Sequence, residues 1–183
     1  MFLSIHAEEC KETIVIDSVE YSINKRWCGK KIDSTLIPVY EEFGLIDKQF
    51  CFEETKIYIR KEAQLAYEKM AHAAKDDSVE LIVKSGFRST GYQKQLIRKR
   101  LREGESFQYI ITYVAPPGYS EHHTGLAVDL TSPGDKYSNS RAYSWLKKNA
   151  SKFSFIESYP KGNNTLKTWE PWHWFYTGDL KTN

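Results

Sequence analysis

The chain has 183 residues, 40% of them hydrophobic and 27% charged, with a formal net charge of +2 at pH 7. That length fits one domain with a core that needs no disulfide staples, and so small a charge gives no argument for nucleic acid as a partner. No apolar run reaches the roughly 18 residues of a membrane-spanning helix, so no membrane span is expected.

Glu8, Glu9, Lys11 and Glu12 stand where an export signal would need its apolar stretch. The sequence therefore carries no recognisable leader. The expectation is either a cytoplasmic protein or, if a leader has been removed, one of the cell envelope or the exterior, acting as a monomer. Cys10, Cys28 and Cys51 are odd in number and fit no zinc-ribbon spacing. They read as structural, with Cys28–Cys51 the pair considered for a disulfide in an oxidising compartment.

Residues 1–55 read as an N-terminal extension or lid, with a strand at Thr13–Ile16, a polar, turn-like stretch from Tyr21 to Ser34 and a short helix at Leu36–Phe43. Residues 56–183 read as the catalytic domain. Ile59, Ala63, Ala66, Tyr67, Met70, Ala71 and Ala74 fall on one helical face, which predicts an amphipathic helix ending near Asp76. Glu80–Lys84 then reads as a buried strand, and Ser85–Thr90 as a loop that Gly86 lets bend. A second helix from Thr90 is expected to turn Tyr92, Leu96, Ile97 and Leu101 inward, leaving Lys94, Arg98, Lys99, Arg100 and Arg102 on a solvated face. Phe107–Val114 is a short apolar element broken by Ala115-Pro116-Pro117-Gly118. Leu126–Leu130 alternates as a strand should, which puts Ala127 and Asp129 on one face. A helix capped near Ser140, strands at Phe153–Ile156 and His173–Tyr176, and a turn at Gly162-Asn163-Asn164 complete the chain. The fold class is α+β, a single domain with a small, mainly antiparallel sheet flanked by helices.

The chemistry gathers in two segments. Ser120-Glu121-His122-His123-Thr124-Gly125-Leu126-Ala127-Val128-Asp129 offers His122 and Asp129 on either side of a glycine turn. Trp169-Glu170-Pro171-Trp172-His173 offers a further imidazole and a carboxylate three residues before it. Two His and one Asp form a three-ligand metal set with room for water, and Glu170 is left over to take the water's proton. On a regular strand Glu170 and His173 would face opposite ways, and Pro171 interrupts regular pairing there. His123 competes for the ligand role, although it points away if His122 points in. Arg88 is the cation available for charge developing on a carbonyl oxygen. His6 and His72 have no such company and read as ordinary polar residues.

These motifs resemble a known family. Ser85-Gly86-Phe87-Arg88-Ser89 with Tyr92-Gln93, then Ala115-Pro116-Pro117-Gly118 leading into Ser120–Asp129, then Glu170-Pro171-Trp172-His173, are similar in kind and order to the zinc D-alanyl-D-alanine carboxypeptidases of the VanY type and the related L,D-carboxypeptidases. Those belong with the hedgehog-like and lysostaphin-like zinc peptidases. The resemblance runs from about residue 57 to residue 178. It implies the fold of that group, one Zn2+ per chain held by His122, Asp129 and His173, Glu170 as catalytic base and Arg88 as a catalytic cation. Ser120 and Gln93, together with Tyr176 and Trp172, form the expected substrate-binding set. The implied function is removal of a terminal D-amino acid from a peptidoglycan stem peptide or precursor. A lysin-like endopeptidase and a non-catalytic cell-wall peptide-binding module are the alternatives. The sequence departs from the family at Phe175, where an Arg is usual, and in a short segment before Glu170.

Overall fold

The structure is a computed structural model that describes residues 10–131, 136–162 and 168–178; His6 and the Asn163-Asn164 part of the expected turn lie outside them. In chain order the elements are β1 (Thr13–Ile16), β2 (Val19–Ser22), β3 (Phe43–Leu45), β4 (Tyr58–Arg60), α1 (Lys61–Asp76), β5 (Ile82–Ser85), α2 (Thr90–Arg102), α3 (Phe107–Ile110), β6 (Ala127–Thr131), α4 (Arg141–Asn149), β7 (Phe155–Glu157) and β8 (His173–Tyr176), joined by short 3-10 turns. Among the described residues no helix is long and apolar enough to cross a membrane.

Helix α1 turns Ala63, Tyr67, Met70, Ala71 and Ala74 into the core, as its 3.6-residue spacing requires. Ile59, read with that face in the sequence, belongs instead to β4, which pairs with β3 before the helix begins. The central sheet is fully antiparallel in the order β5-β6-β8-β7. Val83, Val128, Leu130, Trp174 and Phe155 on one face pack with α1 and with Ala142, Trp145 and Leu146 of α4. Because side chains alternate along a strand, the other face carries Asp129 and His173. The register sets them side by side: Ser85 opposes Asp129 across β5 and β6, and Asp129 opposes His173 across β6 and β8. The sheet thus lays three polar residues in one row, away from the core.

Helix α2 follows the predicted span and turns Ile97 and Leu101 inward as predicted, but not Tyr92. Gln93 and Ile97 are buried, while Tyr92 is 50% exposed. Two single 3-10 turns, Ser34–Leu36 and Tyr40–Glu42, replace the short helix expected at Leu36–Phe43. Pro38 between them has no amide hydrogen for a continuous helical ladder.

The N-terminal segment is packed into the rest. Ile16, Ile23 and Trp27 share a second core with Ile97 of α2, Phe107 and Ile110 of α3, Ile111, Ala115 and Tyr119. Trp27 is fully buried and its indole N–H donates to the Ile111 carbonyl at 2.8 Å. Arg98, expected on a solvated face, pairs with Asp17 of the β1–β2 hairpin. The disulfide joins Cys10 to Cys28, not Cys28 to Cys51. Cys51 sits in the main core near the Ile46 and Asp47 carbonyls, whereas Cys28 lies with the hairpin, so the two belong to different packing units.

Truncation of a buried tryptophan removes apolar contact and leaves a cavity, and here it also strands the Ile111 carbonyl. Trp27→Ala is therefore expected to lower the unfolding free energy by about 3–5 kcal/mol, measured by urea unfolding followed by circular dichroism. A loss under about 1 kcal/mol would mean that the hairpin adds little to the fold.

Candidate metal centre

A 3-10 turn, Glu121–Thr124, carries His122 inward and ends at Gly125 in the left-handed conformation, φ 69°. A Cβ at Gly125 would lie 3.2–3.3 Å from Pro38 and Arg60, so both the backbone angle and the close neighbours call for glycine there. The chain then enters β6, which delivers Asp129. On the far side, the His173 amide donates to the Glu170 carbonyl at 3.0 Å, closing a turn over Glu170–His173 immediately before β8. Glu170 is thus part of a turn rather than of the strand, and strand alternation does not send it to the opposite face. Its carboxylate is buried and lies 4.0 Å from His173 Nδ1.

His122, Asp129 and His173 each offer a ligand atom, and these atoms lie within 4.8 Å of one another. The hydrogen bonds assign the lone pairs. His122 Nδ1 stands 2.7 Å from the Gly86 carbonyl, which can only accept, so Nδ1 carries the hydrogen. Burial, seconded by the positive charge of Arg88, lowers the His122 pKa to about 4, so the ring is neutral and Nε2 is a bare acceptor. That Nε2 is buried without a hydrogen-bond partner, yet faces Asp129 Oδ2 at 3.2 Å. Two acceptors aimed at each other in a buried site leave a seat for a cation, and the donor set of two imidazoles and a carboxylate suits zinc.

His173 is placed between two carboxylates, with Nδ1 2.9 Å from Asp129 Oδ1 and Nε2 2.8 Å from Glu121 Oε2. Burial alone would lower its pKa, but the hydrogen bonds to Asp129 and Glu121 outweigh this and push it up to about 9. Burial likewise works to raise the pKa of Asp129, and the positive and N–H groups around it hold it well below the usual carboxylate range. Arg88 is one of these groups: its guanidinium pairs with Asp129 while its Nε donates to Ser85 Oγ at 2.8 Å.

A cleft of about 450 Å³ opens beside Asp129, lined by Arg88, Lys84, Tyr92 and Trp172 among others. A larger cavity, about 870 Å³, lies between Lys75, Glu80 and Arg141 and contains none of the ligand residues. The smaller cleft is the candidate site because Asp129 and Arg88 line it. Trp172, 39% exposed, forms part of its wall. Ser120 is buried at the start of the ligand turn. Gln93 is also buried; its Nε2 donates to the Ala115 carbonyl at 2.8 Å, and its Oε1 has no hydrogen-bond partner. Tyr176 is not brought to the cluster: it packs against Phe155 on the core face of β8, with ring centroids 5.3 Å apart. Phe175 shares a recess with Arg60, whose Nε donates to the Thr124 carbonyl at 3.0 Å.

Sequence reasoning gave no role to several neighbours. Glu121 reaches His173, and the Tyr159 ring lies 5.0 Å from the His173 ring. Burial, and then the negative charges of Glu121, Glu170 and Asp129, raise the Tyr159 pKa and keep its phenol protonated. Tyr92, expected inside, is a wall of the cleft. His123 is committed to backbone: its Nδ1 donates to the Arg88 carbonyl at 2.6 Å and its Nε2 accepts from the Gly118 amide at 3.0 Å. It therefore faces away from the ligand set and clips the Arg88 loop to the Pro116–Tyr119 loop. Only Glu121, adjacent to a candidate ligand, carried a signal in the sequence.

Asp129→Ala removes the carboxylate that faces both imidazoles. The protein is expected to lose bound zinc on dialysis while its circular dichroism is kept; metal content by mass spectrometry checks this, and a metal-replete variant would show the ligand set to be wrong.

The VanY model, D-alanyl-D-alanine carboxypeptidase, matches residues 56–179. YodJ of Bacillus subtilis is 40% identical over 152 residues, covering 76% of this chain and 55% of YodJ, so the chain spans about half the length of that curated relative. The LdcB LD-carboxypeptidase structure superposes with a TM-score of 0.71 at 31% identity, covering 92% of this chain and 85% of that one. A vancomycin-resistance D,D-pentapeptidase VanY, solved as a mutant with Zn(II), gives a TM-score of 0.61 at 31% identity over 78% and 83% of the two chains. On the strength of a match that includes every ligand candidate and Glu170, the chain belongs to the VanY D-alanyl-D-alanine carboxypeptidase family.

Proposed function

We propose that this chain is a zinc-dependent carboxypeptidase that removes the terminal D-amino acid from peptidoglycan stem peptides or their precursors. One observation carries the reading: the buried, unpartnered Nε2 of His122 faces the Asp129 carboxylate beside His173, with the Glu170 carboxylate 4.0 Å from His173 Nδ1. Zinc held by His122, Asp129 and His173 would supply a Lewis acid for the peptide carbonyl and acidify water beside it.

The remaining work falls to the protein's own groups. Glu170 takes a proton from the attacking water and returns it to the leaving nitrogen as the C–N bond breaks. A structural metal site has no need of such a base, which favours an enzyme over a binding module. Arg88 is oriented by Ser85 and lines the cleft, where its N–H groups can hold a terminal carboxylate or the developing oxyanion. The Gln93 Oε1, buried without a hydrogen-bond partner and not itself lining the cleft, is assigned as an acceptor for a substrate N–H. Tyr92 and Trp172 give the cleft aromatic walls against which a peptide can pack. The Cys10–Cys28 disulfide supports action in an oxidising compartment.

Glu170→Gln is expected to keep stoichiometric zinc and lose at least about 100-fold in kcat. Wild-type turnover in that variant would remove Glu170 from the mechanism. Arg88→Ala is expected to keep zinc while kcat/KM falls by about 10²–10³-fold; unchanged kinetics would place Arg88 outside substrate binding. The bond is identified by mass spectrometry of tetrapeptide and pentapeptide stem fragments after incubation with zinc-loaded enzyme. Loss of one terminal D-residue supports the proposal, with the accepted peptide separating D,D from L,D specificity. Internal cleavage would make the protein an endopeptidase, and intact peptides with zinc bound would make it a binding module.

A further inference from the structure

Glu121 stands next to His122 in the chain, on the same 3-10 turn, yet its carboxylate serves the other imidazole. Oε2 lies 2.8 Å from His173 Nε2. The turn satisfies its own backbone without it: the His123 amide donates to Ser120 O and the Gly125 amide to His122 O. A contact of that length between an imidazole nitrogen and a carboxylate oxygen is a hydrogen bond. A carboxylate can only accept, so His173 Nε2 carries a hydrogen.

The consequence concerns which nitrogen of each ring is left for a metal to take. On His122 the Gly86 carbonyl takes the Nδ1 hydrogen and leaves Nε2 toward Asp129. On His173 the roles are reversed, with Nε2 committed to Glu121 and Nδ1 toward Asp129. The His173 ring is also boxed in, with the Tyr159 ring 5.0 Å and the His122 ring 4.9 Å away. Packing can hold the plane of the ring but cannot choose its tautomer. Without Glu121, a neutral His173 would place its one hydrogen on Nδ1, where Asp129 accepts it, and the bare nitrogen would point away from the centre.

We propose that Glu121 is a positioning residue that fixes His173 as the Nε2–H tautomer and so presents Nδ1 to the metal. The Glu121–His122 step then prepares both imidazoles at once: one residue is a ligand, and its neighbour sets the other ligand. The proposal rests on the reading that His122, Asp129 and His173 hold zinc. Carboxylate partners of this kind raise ligand basicity, and their loss typically weakens metal binding by about 10–100-fold.

The test measures zinc affinity by competition with a chromophoric chelator at fixed pH for the wild type, Glu121→Ala, Glu121→Gln and His122→Ala, with circular dichroism of each. Glu121→Ala is expected to weaken zinc by about 10–100-fold with its spectrum unchanged. Glu121→Gln, whose amide oxygen can still accept from Nε2, is expected to bind more tightly than Glu121→Ala. Affinity within about twofold of wild type for Glu121→Ala, while His122→Ala loses zinc, overturns the proposal and leaves the ligand set standing. Glu121→Gln as weak as Glu121→Ala also overturns it, because the acceptor would then not be what matters. Retention of zinc by His122→Ala overturns the ligand set itself. Should Glu121→Ala not fold, the ring nitrogens of zinc-loaded wild type decide by 15N NMR. A hydrogen on Nε2 of His173 supports the assignment, and a hydrogen on Nδ1 refutes it.

Discussion

The centre depends on one buried carboxylate. Asp129 sits between His122, His173 and Arg88, and an ionised group in such a place is tolerable only because each oxygen meets an N–H or a positive charge. The antiparallel register of β6 with β5 and β8 creates the arrangement, because it sets Ser85, Asp129 and His173 abreast on the face turned away from the core. Hydrophobic packing on the opposite face therefore fixes the polar geometry indirectly. If Val128, Leu130 and Trp174 keep their places in the core, the alternation of the strands leaves Asp129 and His173 no choice of side.

The loops that complete the centre are tied down by backbone contacts. Gly86 passes so close to the Tyr58 carbonyl that a Cβ there would come within 2.6 Å, and its own carbonyl receives the His122 hydrogen. His123 joins the Arg88 and Gly118 backbones, and Gln93 holds Ala115. Further out, Glu12 accepts from both the Gly29 amide at 2.8 Å and the Tyr119 hydroxyl at 2.5 Å, and the Ile32 amide donates to Gly118 at 2.8 Å. The N-terminal hairpin and its disulfide thereby brace the Pro116–Tyr119 loop, whose next residues supply Ser120 and His122.

Much of this could be read from the sequence, and what could not has physical reasons. The amphipathic face of α1 was legible because burial on one side imposes a period, and β6 because its alternation is strict. Helix α2 was misjudged at Tyr92, which was taken as core because it is a large aromatic residue. The cleft reverses that preference, exposing Tyr92 as a wall and burying Gln93 where its amide bridges to Ala115. The Cys10–Cys28 pairing depends on how the hairpin folds back, and spacing alone carries no such information. The placement of Glu170 needed the turn that ends at His173, and Pro171 hinted only that regular pairing stops. Tyr159 enters the centre through a contact across distant segments, which no local pattern records, and Glu121, though adjacent to His122, serves the ring of His173.

The origin of the centre in remote pieces of chain has a kinetic meaning. Gly86 and Arg88, the 121–123 turn, Asp129 and the 170–173 turn meet only when β8 has inserted between β6 and β7. Contacts of such long sequence separation form late, after the loop-closure entropy has been overcome. A chain in which β8 has not yet docked holds His122 and Asp129 without His173, two ligands rather than three. The competence to seize a metal ion is thereby reserved for the finished molecule.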